Sequence, residues 1–89
     1  MCNIRLSRKA KGDIAQLRKE DPKYAAKLWD IILDIIRSPH SGIGKPEALK
    51  DDLQGWWSRQ ITDKHRIIYK VEDDGLLLIA SCWGHYGDR

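Results

Sequence analysis

The sequence predicts an α+β domain in which two N-terminal helices pack on one face of a small, mostly antiparallel sheet, in the order β-α-α-β-β-β. Three observations predict it. Apolar residues recur at helical spacing through the first half, at Ala10, Ile14 and Leu17 and again at Tyr24, Leu28, Ile31, Ile32 and Ile35. The second half holds three apolar runs, "WWSRQI", "HRIIYKV" and "LLLIASCW", separated only by "TDK" and "EDDG". Links that short make antiparallel hairpins, because a parallel connection needs a dozen or more residues. Finally, 89 residues make one domain, spanning 1–89, with a single modest core.

Taken in order, "NIRL" opens the chain as a short strand. Ser7 then caps a first helix by accepting from an orphan backbone N–H, and Gly12 weakens that helix by roughly 1 kcal/mol relative to alanine. Asp21 followed by Pro22 starts the second helix, because a proline in the first turn lacks only an N–H that would have no partner. Its apolar stripe reads as core, and Ser38-Pro39 ends it. "HSGIGKPEALKDDLQG" carries the breakers Gly42, Gly44, Pro46 and Gly55, and reads as a loop holding one short helical turn. The three strands follow.

Composition limits the function. With 42% hydrophobic and 33% charged residues the chain is globular. No apolar run is long enough for a membrane span, and "MCNIRLSRKA" lacks the apolar core of a signal peptide, so a cytoplasmic protein with no membrane partner is expected. Cys2 and Cys82 show no metal-ligand spacing and read as two free thiols; neither a metal nor another cofactor is expected. The net charge is +3 and the pI about 9.0, a modest excess whose placement says more than its size. Arg8, Lys9, Lys11, Arg18 and Lys19 fit a solvated helix face at least as well as an RNA contact. A second basic set comprises Lys45, Lys50, Arg59, Lys64, Arg66 and Lys70.

Period-two alternation sorts the strands into faces. Ile67, Tyr69 and Val71 share a face with His65 and should meet the helices; Arg66, Ile68 and Lys70 share the other, where an antiparallel sheet commonly meets solvent. Trp57, Arg59 and Ile61 fall on one side and Trp56, Ser58 and Gln60 on the other. Arg59 therefore sits among apolar neighbours and needs a partner, an acidic side chain or a phosphate. Basic residues on an open sheet with aromatics nearby suit single-stranded RNA, with phosphates paired and bases stacked. By composition alone, Glu47 and His85 would be unremarked surface residues.

The stretch "GKPEALKDDLQGWWSRQITDKHRIIYKVEDDGLLLIASCWGHY" resembles the Txe/YoeB family of bacterial toxins, messenger-RNA-cleaving members of the RelE superfamily. The resemblance rests on the Gly-Lys-Pro-Glu-x-Leu-Lys loop, Trp-Ser-Arg, an Ile-Thr turn leading to His-Arg, and His-Tyr near the end. It implies a RelE-like fold, the one already read from the pattern. It also implies roles: Glu47 as general base, His85 as general acid, Arg66 steadying the scissile phosphate, Tyr86 placing substrate, and Lys50 and Arg59 joining Arg66 in binding RNA. The chain departs from the family pattern in three places. It has Arg59-Gln60 where the family often has two arginines, it continues past His-Tyr with Gly87-Asp88-Arg89, and its first helix is rich in Lys and Ala.

Those roles are chemically coherent. RNA carries its own nucleophile, the 2′-hydroxyl, so a metal-free nuclease needs a base for the 2′ proton, cations for the growing phosphorane charge, and an acid for the 5′ oxygen. The resemblance thus implies a toxin of a type II toxin–antitoxin system that cleaves messenger RNA in the ribosomal A site. Its expected partners are the ribosome, messenger RNA, a YefM/Phd-like antitoxin whose C-terminal segment folds on binding, and a second copy in a homodimer. Two other readings share the scaffold: a gyrase-poisoning ParE-like toxin, and a non-catalytic RNA-binding or antitoxin-sequestering module.

Overall fold

The computed structural model describes residues 3–84, and two helices and five strands follow one another as β1 (Ile4–Leu6), α1 (Arg8–Glu20), α2 (Pro22–Arg37), β2 (Glu47–Ala48), β3 (Trp57–Gln60), β4 (Arg66–Val71) and β5 (Leu77–Ser81). A single 3-10 turn, Asp51–Leu53, lies between β2 and β3, as the loop reading expects. The strands form one sheet in the order β1-β5-β4-β3-β2. The pairs β2–β3, β3–β4 and β4–β5 are antiparallel and β1–β5 is parallel, so the sheet is mixed. β1 can lie parallel to β5 because nearly the whole chain separates them.

Local chemistry explains the helix boundaries. The Ser7 side chain accepts from the Ala10 N–H at 2.9 Å and donates to the Ala80 carbonyl at 2.6 Å, capping α1 and tying it to β5. Asp21 accepts from the Lys23 N–H at 3.0 Å and caps α2, with Pro22 in its first turn. The loss of such a cap typically costs about 1 kcal/mol.

Ala10 and Leu17 of α1 and Leu28, Ile31, Ile32 and Ile35 of α2 cover Ile67, Tyr69, Leu77 and Ile79 of the sheet, together with Ile61 just after β3. The alternation assigned the faces of β4 correctly: Ile67 and Tyr69 are fully buried against the helices and His65 is only 4% exposed. Arg66 and Lys70, on the opposite side, are half-buried. Ile68 departs from the open-face expectation; it is 6% exposed, and its register partner Ser58 is fully buried. The strand β2 is a further departure, since it stands where the sequence reads as loop. Its pairing places Glu47 opposite Ser58 and Ala48 opposite Trp57.

Candidate active site

The loop between α2 and β2 is organised by one buried arginine. Arg59 has no solvent exposure. Its Nη1 donates to Asp34 Oδ2 at 2.5 Å and to the Ile43 carbonyl at 3.2 Å. Its Nη2 donates to the carbonyls of Ser38 at 2.5 Å and Ser41 at 2.8 Å, and its Nε to the Tyr69 hydroxyl at 3.1 Å. Tyr69 in turn donates to the Pro39 carbonyl at 2.6 Å. Asp34 also accepts from the Ile43 N–H at 3.0 Å, and the hydrogen bonds from Arg59 and Ile43 hold its carboxyl below the usual aspartate range.

Gly42 completes this knot because nothing larger fits. Its φ is +123°, and a Cβ there would lie 1.9 Å from the Asp34 carboxylate. The expectation that Arg59 contacts RNA is corrected here: a side chain with no exposure and every nitrogen engaged has nothing left for a phosphate. The alternative raised from the alternation, an acidic partner, is the one realised. Asp34 was not legible as that partner, since on the helix it reads as an ordinary polar position.

Beyond the knot, the Gly44 carbonyl accepts from the Gln60 N–H at 2.6 Å, which leads the chain into β2. Glu47 is exposed there and, by register with Ser58, lies on the sheet face away from the helices. Arg66 reaches the same place from β4. Its Nε donates to Ser58 Oγ at 3.0 Å and its Nη2 to the Lys45 carbonyl at 3.2 Å. The fold therefore brings Glu47 and Arg66 to one sheet face on either side of Ser58, a residue that sequence reasoning did not single out. A direct hydrogen-bonding role for Ser58 has one signal in the sequence, its phase with Gln60 opposite the core.

Lys50 is exposed and lines a groove of about 340 Å³ with Glu47 and residues 48–53. Lys45 (φ 53°) and Asp51 (φ 57°) bracket that segment in the left-handed conformation. A non-glycine residue there costs roughly 1–2 kcal/mol, a local strain that the surrounding contacts must hold. Further along the face, the Lys70 ammonium stands 6.0 Å from the centre of the Trp56 ring.

His85 and Tyr86 lie outside the described residues, as does Cys2. The chain leading to them is well fixed. The Cys82 N–H donates to Asp13 Oδ2 at 3.0 Å, and the Arg66 N–H donates to the Gly84 carbonyl at 3.0 Å. Among the described residues no group of three or more His, Cys, Asp or Glu could hold a metal ion, and no helix is long and apolar enough to cross a membrane.

Comparison with known proteins agrees with this architecture. The family model described as "YoeB-like toxin of bacterial type II toxin-antitoxin system" matches residues 6–86. Toxin YoeB of Escherichia coli O6:H1 is 47% identical over 74 residues, which is 83% of this chain and 87% of that protein. Among solved structures, the heterotetrameric YoeB-YefM toxin-antitoxin complex from Staphylococcus aureus matches with a TM-score of 0.86 at 39% identity, covering 97% of this chain and 99% of that one. The YoeB dimer from the same organism matches with a TM-score of 0.86 at 40% identity, covering 96% and 98%. The matched residues take in both helices and the sheet face that carries Glu47 and Arg66, and the chain belongs to the family of YoeB-like toxins of bacterial type II toxin–antitoxin systems.

Proposed function

We propose that this toxin is a metal-independent endoribonuclease that cleaves messenger RNA in the ribosomal A site. The observation that carries the reading is the meeting of Glu47 and Arg66 on one sheet face, with the chain that leads to His85 hydrogen-bonded to Arg66 itself at Gly84. Glu47 takes the proton of the 2′-hydroxyl. Arg66, its Nε held by Ser58, presents its guanidinium to the phosphate oxygens. His85 protonates the 5′ leaving oxygen, and Tyr86 helps to place the substrate. Lys45, Lys50 and Lys70 extend the positive surface along which an RNA backbone would run.

The partners follow from the same surface. A YefM-like antitoxin is expected to restrain the toxin by laying a segment that orders on binding over this basic face. The S. aureus complex and dimer support an antitoxin partner and a homodimer for this chain as well.

The test is single-turnover cleavage of messenger RNA on programmed ribosomes, with a 2′-deoxy nucleotide at the scissile position as control. Cleavage should yield 2′,3′-cyclic or 3′-phosphate ends and fail on the deoxy substrate. Binding without cleavage by the wild-type protein would instead favour a non-catalytic RNA-binding module.

A further inference from the structure

His65 immediately precedes Arg66, faces the helices and is 4% exposed. Its two ring nitrogens are engaged at opposite ends. Nδ1 accepts from the Gly84 N–H at 2.8 Å, and Nε2 lies 3.2 Å from Glu20 Oε1 at the C-terminus of α1. The ring stacks on Trp83 with centroids 4.0 Å apart and an interplanar angle of 30°, and Tyr24 meets it edge-on at 6.5 Å. A backbone N–H can only donate, so Nδ1 is an acceptor here. The ring proton therefore sits on Nε2 and is given to the Glu20 carboxylate, which fixes the tautomer.

The next residue grips the same point from the other side, since the Arg66 N–H donates to the Gly84 carbonyl at 3.0 Å. Both peptide groups of Gly84 are thus held by consecutive residues, His65 and the first residue of β4, and Gly84 has a φ of +83°. His85 is the next residue in the chain. Among ring side chains only histidine combines a flat face for Trp83, an in-plane nitrogen acceptor for Gly84 and a second nitrogen that donates to Glu20. Phenylalanine keeps the first alone, and asparagine keeps the polar atoms but loses the ring and its reach.

We propose that His65, with its tautomer set by Glu20, is a positioning residue: it clamps Trp83 and Gly84, the residues from which the chain continues to His85. The catalytic half of this inference rests on the reading of His85 as the general acid. The clamp itself does not, so the two are separable. A misplacement of about 1 Å in a reacting group can slow chemistry by about 100-fold without weakening substrate binding. The clamp therefore acts on kcat and leaves KM alone.

The experiment combines amide hydrogen exchange at Gly84, imidazole ¹⁵N shifts of His65 and cleavage kinetics on programmed ribosomes, all on the full chain. In the wild type, Nδ1 should be unprotonated and the Gly84 amide protected. His65→Phe should lose that protection by about tenfold or more and lose kcat by about 10- to 100-fold, with KM within about twofold. His65→Asn should regain part of both. Should His65→Phe not fold, Glu20→Ala alters an exposed carboxylate instead and should lower Gly84 protection and kcat together. A proton found on Nδ1, or unchanged Gly84 exchange in the variants, overturns the clamp. Lost protection with unchanged kcat overturns the positioning role. A wild-type protein that cuts no messenger RNA overturns the nuclease reading and its catalytic half, while the clamp still stands or falls on exchange.

Discussion

Arg66 donates through Nε to the Ser58 hydroxyl at 3.0 Å, and Ser58 is the register partner of Glu47. A buried serine thus sets the aim of an arginine beside the carboxylate proposed as base. On the proposed reading this guanidinium meets a phosphate, and each phosphate neutralised releases counterions. For single strands the log–log slope of affinity against salt is about −0.7 per phosphate contact. Arg66→Ala should weaken ribosome binding and flatten the slope by about that amount. An unaltered slope would remove Arg66 from the RNA contacts. Ser58→Ala should retain the slope and slow cleavage, because the charge remains and only its aim is lost.

Arg59 should behave differently in every measurement. Its replacement by lysine cannot reproduce the hydrogen bonds to Asp34, Ile43, Ser38, Ser41 and Tyr69, so Arg59→Lys should lower the denaturant midpoint and leave the salt slope alone. Tyr69→Phe removes the hydroxyl that joins Arg59 to the Pro39 carbonyl and should cost about 1–3 kcal/mol in equilibrium unfolding. A steepened or flattened salt slope in Arg59→Lys would return Arg59 to the RNA surface.

The same knot predicts a pH dependence. The hydrogen bond from Arg59 and that from the Ile43 N–H depress the folded-state pKa of Asp34 below its ordinary value of 3.8. As pH falls, the unfolded chain takes up this proton first, so the contribution of Asp34 is complete well above 3.8 and declines below it. Asp34→Asn should be less stable at neutral pH and should lose stability less steeply on acidification. Parallel acid limbs in wild type and variant, measured by denaturant midpoints at stepped pH, would count against the assignment.

How much of this was legible in the chain depended on whether a residue's role was periodic. The helix caps at Ser7 and Asp21, the core stripe of α2 and, apart from the buried Ile68, the faces of β4 follow from local chemistry and spacing. The two-residue strand β2 has no pattern of its own; pairing with β3 makes it a strand, and tertiary contacts of that kind leave no trace in Glu-Ala. Arg59 is the instructive case. Its alternation with Trp57 and Ile61 already placed it in the core, and the motif-based role as an RNA contact conflicted with that phase. His65 was placed on the helix side for the same reason. Its bond to Gly84 joins residues 19 positions apart, and only the folded chain could reveal it.

Cys82 offers a test of packing at the end of β5. Its thiol is fully buried, donates weakly to the Ala10 carbonyl at 3.7 Å, and has a pKa pushed up to about 12, chiefly by burial, with the Asp13 carboxylate adding to it. Thiolate is the reactive form, so Cys82 in the folded protein should be labelled only as fast as the structure opens. In denaturant both cysteines should react without prior reduction. Rapid native-state labelling at Cys82 would mean that the segment leading to Gly84 is not held by α1.

The acid–base pair gives the sharpest expectation. If Glu47 takes the 2′ proton and His85 supplies one to the 5′ oxygen, each acts in a single step that is distinct from binding. Glu47→Ala and His85→Ala should each slow single-turnover cleavage by roughly 10²–10⁴-fold while ribosome binding stays nearly intact. The base must be ionised and the acid protonated, so rate against pH should rise with the first and fall with the second. Glu47→Ala should therefore lose the rising limb and keep the falling one; His85→Ala should do the reverse. A chelator that spares the ribosome should change nothing. Arg66→Ala supplies the contrast, because it should slow cleavage and preserve both limbs, having removed a fixed charge and no proton. Normal-rate cleavage of a substrate lacking the scissile 2′-hydroxyl would end the roles given to Glu47 and His85, since no nucleophile would remain for the base to activate.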